Sequence, residues 1–144
     1  MTANLSAAPI TETIPPLSLD AIHPVSAALI DWLEHRDERH RFVLAVYRSA
    51  AAISEDYAGG PWAIASLTGA PVMLPAAQRH YRAGETLLTP CVLGAAVTVR
   101  TLRLFARTRR IPAYDLMLRR LEASLRKVPA RDIIHQLASV PRRT

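Results

Sequence analysis

The chain has 144 residues and a mass of 15.9 kDa, with half of its residues hydrophobic and about a fifth charged, which excludes a multidomain machine and a disordered protein. It carries a net charge of +6 and a single cysteine, so an internal disulfide and thiolate zinc sites of the finger or ribbon type are excluded as well. No apolar run reaches the roughly 18 residues that cross a bilayer, and residues 1–14 lack the basic start and apolar centre of a signal peptide, so a cytoplasmic protein without a membrane partner is expected.

The charge is unevenly placed. Met1 to Val72 holds four arginines and eight acids, whereas Met73 to Thr144 holds fourteen basic residues and four acids, so the halves carry −4 and +10. That polarity suits contact with nucleic acid or an acidic partner through the C-terminal half. It also suits plain solvation, because every basic residue except Lys127 is arginine, as in a genome that favours arginine codons.

In chain order, residues 1–16 mix Ser, Thr, Ala and Pro without a period and read as a mobile tail. A short helix is expected from Pro24 to about His35, with Val25, Ala28, Leu29, Trp32 and Leu33 on one side. A second helix follows the acids Asp37 and Glu38 and buries Phe42, Val43, Val46, Tyr47, Ala50, Ile53 and Tyr57. Gly59 and Gly60 are its expected exit, with Pro61 preventing continuation. Two short apolar runs around Thr68-Gly69 then predict a hairpin over about 62–75, whose second run, with Pro71 and Pro75 at its ends, reads as an edge strand. A third strand is placed between His80 and Leu88.

Thr89-Pro90 opens a helix reaching about Arg109, with Val92, Ala95, Ala96, Val99, Leu102 and Phe105 inward. On its other side Arg100, Arg103, Arg107 and Arg110 recur at three and four residues, a stripe of about 15 Å. The stripe is the candidate phosphate contact, or else the solvated face of a surface helix. Pro112 opens a further helix that Pro129 ends, a last one spans Asp132 to Val140, and residues 141–144 form a basic tail. The whole is an α+β fold: a small antiparallel sheet flanked by about five helices, in one domain over 17–140.

A catalytic constellation is not legible. The five histidines lack the paired spacing of a metal-binding helix, Gly59, Gly60 and Gly69 stand apart from any Lys-Ser or Lys-Thr, and Cys91 reads as core filler at the start of an apolar helix. Glu55 and Asp56, as helical neighbours, would point about 100° apart and could not share a substrate. A non-enzyme without cofactor or metal is expected.

Ser54-Glu55-Asp56-Tyr57-Ala58-Gly59-Gly60-Pro61-Trp62, with the hairpin ending Val72-Met73-Leu74-Pro75-Ala76, resembles the signature of the ArdB/KlcA antirestriction family. In that family a helix ending in Glu-Asp-Tyr runs through Gly-Gly and one variable residue into the tryptophan of the first strand, and the second strand closes with Met-x-Pro. The resemblance covers about Phe42 to Ala76, extends to the helix at Thr89-Pro90, and fades beyond Arg109. Family members tend to be acidic with aromatic-rich strands, whereas this chain is basic and its hairpin is mostly Ala, Ile, Leu and Val.

The resemblance implies a plasmid- or mobile-element-borne protein that protects incoming DNA against host type I restriction-modification enzymes, without catalytic residues. Tyr57 and Trp62 would be core anchors, Gly59 and Gly60 the helix exit, and Glu55 and Asp56 exposed contacts. A DNA mimic must present ordered negative charge, which a half-chain of +10 does not, so contact with the restriction enzyme complex is expected instead. The alternative is a small basic DNA-associated accessory or regulatory protein with weak DNA contact through the arginine stripe.

Overall fold

The computed structural model describes residues 17, 19–24, 29 and 32–139. Both expected tails, residues 1–16 and 141–144, lie outside the described residues, and so does most of the helix expected from Pro24 to His35. Of that segment, Leu33 and Trp32 each donate a backbone hydrogen bond to the Leu29 carbonyl, at 2.8 and 3.0 Å.

The fold is α+β. Three strands, β1 (Asp20–Pro24), β2 (Trp62–Leu67) and β3 (Ala70–Pro75), form an antiparallel sheet in the order β1-β2-β3. The β2–β3 hairpin pairs Trp62 with Pro75 through Leu67 with Ala70, and Thr68 and Gly69 both take positive φ, 50° and 85°, as a two-residue turn of the primed type requires. The edge expected from the two prolines is β3. The third strand is β1, not the segment between His80 and Leu88; that segment folds on itself as a separate hairpin, β4 (Tyr81–Ala83) with β5 (Thr86–Leu88), because Gly84 at φ +62° reverses the chain after only three residues.

Four helices, rather than about five, are present among the described residues: α1 (Arg36–Ile53), α2 (Pro90–Thr108), α3 (Pro112–Leu125) and α4 (Arg131–Ala138). The side chain of Thr89 accepts the Val92 amide at 3.2 Å to cap α2, and Pro90 fits the first turn, where its missing N–H costs nothing. From Val92 to Val99 every residue of α2 is buried, which makes it the central helix; it packs against β3, α1, α3 and α4. Each fully buried Val or Leu there contributes about 1.5–3 kcal/mol relative to exposure.

α2 approaches β3 closely because position 94 is glycine: a Cβ there would collide with the Met73 carbonyl oxygen. Beside it the Thr98 hydroxyl accepts the outward Met73 amide at 2.8 Å and donates to the Gly94 carbonyl at 2.6 Å, so an edge amide of the sheet is satisfied by a helix side chain. Phe42, Phe105 and Tyr114 lock α1, α2 and α3 together, with ring centroids 5.1–5.9 Å apart.

Candidate functional site: the signature turn and an arginine groove

α1 ends at Ile53, not at the glycine pair. The Ser54 amide closes it on the Ala50 carbonyl at 2.8 Å, and the Ser54 hydroxyl donates to Asp56 Oδ1 at 2.7 Å, bending the chain away from the helix. Glu55 and Asp56 therefore lie in a turn, and the 100° separation expected of helical neighbours does not apply. Asp56 Oδ1 accepts the Arg82 amide at 3.0 Å, and both Glu55 carboxylate oxygens accept the Gly84 amide at 3.1 and 3.2 Å. The two acids thus pin the β4–β5 hairpin from the far side of the signature. Arg79 adds an ion pair to Asp56 at 3.1 Å. Partial burial raises the Asp56 carboxyl, but the Arg82 amide, the Ser54 hydroxyl and the Arg79 charge outweigh it and hold it below its usual 3.8.

Tyr57 and Trp62 are tied to each other: the indole Nε1 donates to the Tyr57 hydroxyl at 2.8 Å, and Tyr57 also leans on the Tyr81 ring of β4. Trp62 is buried, while Tyr57 is half-buried at the rim of the core. Gly59 and Gly60, at φ +94° and +113°, carry the chain between them in a conformation that side chains resist, so they shape the loop into β2 rather than the helix end.

The stripe of four arginines is broken up by the fold. Arg110 falls beyond the end of α2. Arg100 reaches the Ser49 hydroxyl of α1 at 3.1 Å, and Arg103 lies 3.4 Å from Glu122 and 2.7 Å from His135 Nδ1. Burial and the Arg103 charge push the His135 imidazole below its ordinary 6.5, so neutral Nδ1 accepts from the guanidinium. Arg107 stays exposed.

In place of a one-sided stripe there is a groove of about 1200 Å³ between α1 and α2, lined also by Ala138 and Ser139. The helices run antiparallel along it, since Glu38 meets Arg109 and Ser49 meets Thr101. Six arginines line it, Arg41 and Arg48 from α1 and Arg100, Arg103, Arg107 and Arg109 from α2 and its C-terminal end, and among the described residues no acid does. Sequence reasoning missed the α1 pair, which stands in the acidic half of the chain.

At the C-terminal end of α2 Arg109 grips buried Glu38 through Nε and one terminal nitrogen, at 2.6 and 2.8 Å, while the Tyr114 hydroxyl donates to the same carboxylate at 2.6 Å. Burial raises the Glu38 carboxyl, but these hydrogen bonds and the Arg109 charge leave it below 4.5; burial and the Glu38 carboxylate push the Tyr114 hydroxyl far up. Arg109 is thereby neutralised. Arg41, Arg48 and Arg107 form no ion pair among the described residues.

Among the described residues no three of His, Cys, Asp and Glu come together as metal ligands, and burial pushes the half-buried Cys91 thiol up, away from thiolate reactivity. Among the described residues no helix is long and apolar enough to cross a membrane. Compared with protein-family models and with curated proteins, the chain matches none.

Proposed function

We propose that the chain is a non-catalytic antirestriction protein, which protects incoming plasmid or mobile-element DNA against host type I restriction-modification enzymes in the cytoplasm, by contact with the enzyme complex and not by imitating DNA. The reading rests on the resemblance to the ArdB/KlcA family. The observation that supports it most is that the residues carrying the resemblance form one connected unit: Glu55 and Asp56 hold the β4–β5 hairpin, Tyr57 holds Trp62, and Met73 of the Met-x-Pro ending is held by Thr98 of α2. The six-arginine groove supports contact over mimicry, since a mimic needs a negative array where this chain has a positive one.

Plating efficiency of unmodified phage on cells with an active type I system, with and without the chain expressed, tests the reading. Recovery of plating with normal methylation of resident DNA is expected. No recovery from a soluble, folded chain would end it.

A second reading, a basic DNA-associated accessory protein, is favoured by Arg41, Arg48 and Arg107, which form no ion pair among the described residues. It requires DNA affinity that falls steeply with salt, with the slope of log affinity against log salt reduced by about 1 for each phosphate-contacting arginine replaced by alanine.

A further inference from the structure

We propose that the groove between α1 and α2 is a docking site for an acidic amphipathic helix of a partner protein. This deepens the contact reading above by naming the kind of surface the partner presents. Three features of the groove combine to select that occupant.

First, its lining is apolar and cationic together. Leu44, Ala45, Ala52 and Leu104 line it, and Leu44 is 40% exposed although it is a large aliphatic side chain. Arg41 and Arg48 flank Leu44 on α1 at spacings of three and four, and Arg107 lines the groove from α2. A helix that carries leucines and carboxylates on one face satisfies both kinds of lining.

Second, the length fits. From Arg41 to Ala52 α1 offers about 16 Å of wall at 1.5 Å per residue, which is three turns of a ligand helix. Third, the other occupants match the groove poorly. Single-stranded nucleic acid binds through aromatic platforms, and among the described residues the one aromatic side chain lining the groove, Phe105, is 8% exposed. A duplex would meet the arginines and leave Leu44 wet. The chain's own segments outside the described residues are too sparse in carboxylates to match six arginines: residues 1–16 contain one acid, Glu12, residues 25–28, 30 and 31 contain one, Asp31, and residues 140–144 contain Arg142 and Arg143 and no acid.

The pairing already present in the fold shows how such a contact would work. Glu38 satisfies Arg109 with two carboxylate oxygens; a partner carboxylate would give Arg41, Arg48 and Arg107 the same bidentate geometry. The arginines would set orientation and encounter rate, while burial of the leucines against Leu44 and the alanines would set residence time.

The test is fluorescence anisotropy with the full chain and a labelled helix-forming peptide that has leucines at i, i+3, i+4 and i+7 flanked by glutamates. A peptide of identical composition with the leucines scrambled and a single-stranded oligonucleotide serve as competitors. Saturable binding is expected, at least about tenfold tighter than to the scrambled peptide, and weakened about tenfold or more by Leu44→Asp and by Arg48→Glu. Both positions are exposed, so circular dichroism and the urea midpoint should stay at the parent values.

Equal affinity for the two peptides would overturn the proposal in favour of simple charge attraction. Tighter binding of the oligonucleotide would overturn it in favour of the DNA reading, and self-association lost in Leu44→Asp would assign the groove to a second copy of the chain. No saturable binding by the folded parent protein would overturn it too. The readout uses no phage, so failure here with recovered plating would leave the antirestriction reading standing and sink the groove alone.

Discussion

The signature turn and the arginine groove use charge in opposite ways. Around residues 54–57 the carboxylates are spent inside the molecule, on the amides of Arg82 and Gly84 and on Arg79. Along the groove arginines predominate, and among the described residues the ion pairs there join Arg109 to Glu38 and Arg103 to Glu122. The residues that carry the resemblance therefore hold shape, whereas the groove lining lies outside them. A resemblance built on such a signature transfers architecture more directly than it transfers a binding surface.

The largest expected effect tests the shape-holding side. Gly94→Ala forces a methyl group into the Met73 carbonyl, so α2 and β3 must part, and a loss of about 3 kcal/mol in urea denaturation is expected. A loss under about 1 kcal/mol would mean that β3 yields freely and the hairpin is not held as described. Next, Glu38→Ala leaves the buried Tyr114 hydroxyl without its acceptor and should cost about 1–3 kcal/mol in the same assay. If Glu38→Ala were neutral, the groove would be independent of the Glu38 network.

Smaller effects sharpen the contrast. Trp62→Phe removes the bond to the Tyr57 hydroxyl and should cost about 1 kcal/mol while leaving the groove unchanged, a separation that heteronuclear NMR shifts at Arg41, Arg48 and Arg107 would report. The pH dependence has a definite sign. His135 has a folded pKa below its ordinary 6.5, so the unfolded chain takes up its proton first; the contribution of His135 is complete above pH 6.5 and is lost as pH falls through the lower folded value. His135→Asn should flatten the stability curve in that window, and an unchanged curve would place the Arg103 contact outside the stability balance. Last, Arg41→Ala/Arg48→Ala/Arg107→Ala should shift stability by less than about 0.5 kcal/mol. A larger loss would turn the groove arginines into shape-holding residues and erase the contrast.

What the sequence made legible follows how local each signal was. α2 lies within a residue or two of its expected bounds and α3 starts where expected, because Thr89-Pro90 and Pro112 mark their starts chemically, whereas α3 ends at Leu125, short of Pro129. The exit of α1 was overshot because Tyr57 continues the apolar period of Phe42, Val46, Ala50 and Ile53, although Tyr57 is bound from outside the helix, by Trp62. β1 was missed since its five residues contain few apolar side chains and its Pro24 equally suits a helix start; its strand identity comes from pairing with β2, some forty residues away.

The groove was missed because charge was summed over halves of the chain. Arg41, Leu44 and Arg48 share a face of α1 at spacings of three and four, and the same rule that found the stripe on α2 would have found them. That an arginine face on one helix would meet a like face on its antiparallel neighbour is a tertiary fact, set by Glu38 finding Arg109 and Ser49 finding Thr101.

The same Glu38–Arg109 clasp imposes an order on synthesis. Its partners are 71 residues apart in the chain. At about 5–20 residues per second, Glu38 leaves the ribosome roughly 4–14 s before the arginine that completes it. During that interval α1 has no α2 to cover Phe42 and Val46, both fully buried in the finished fold. The first half of the nascent chain thus waits with an open apolar flank, and a slowly translated stretch between the β2–β3 hairpin and α2 would lengthen its exposure to chaperones and proteases.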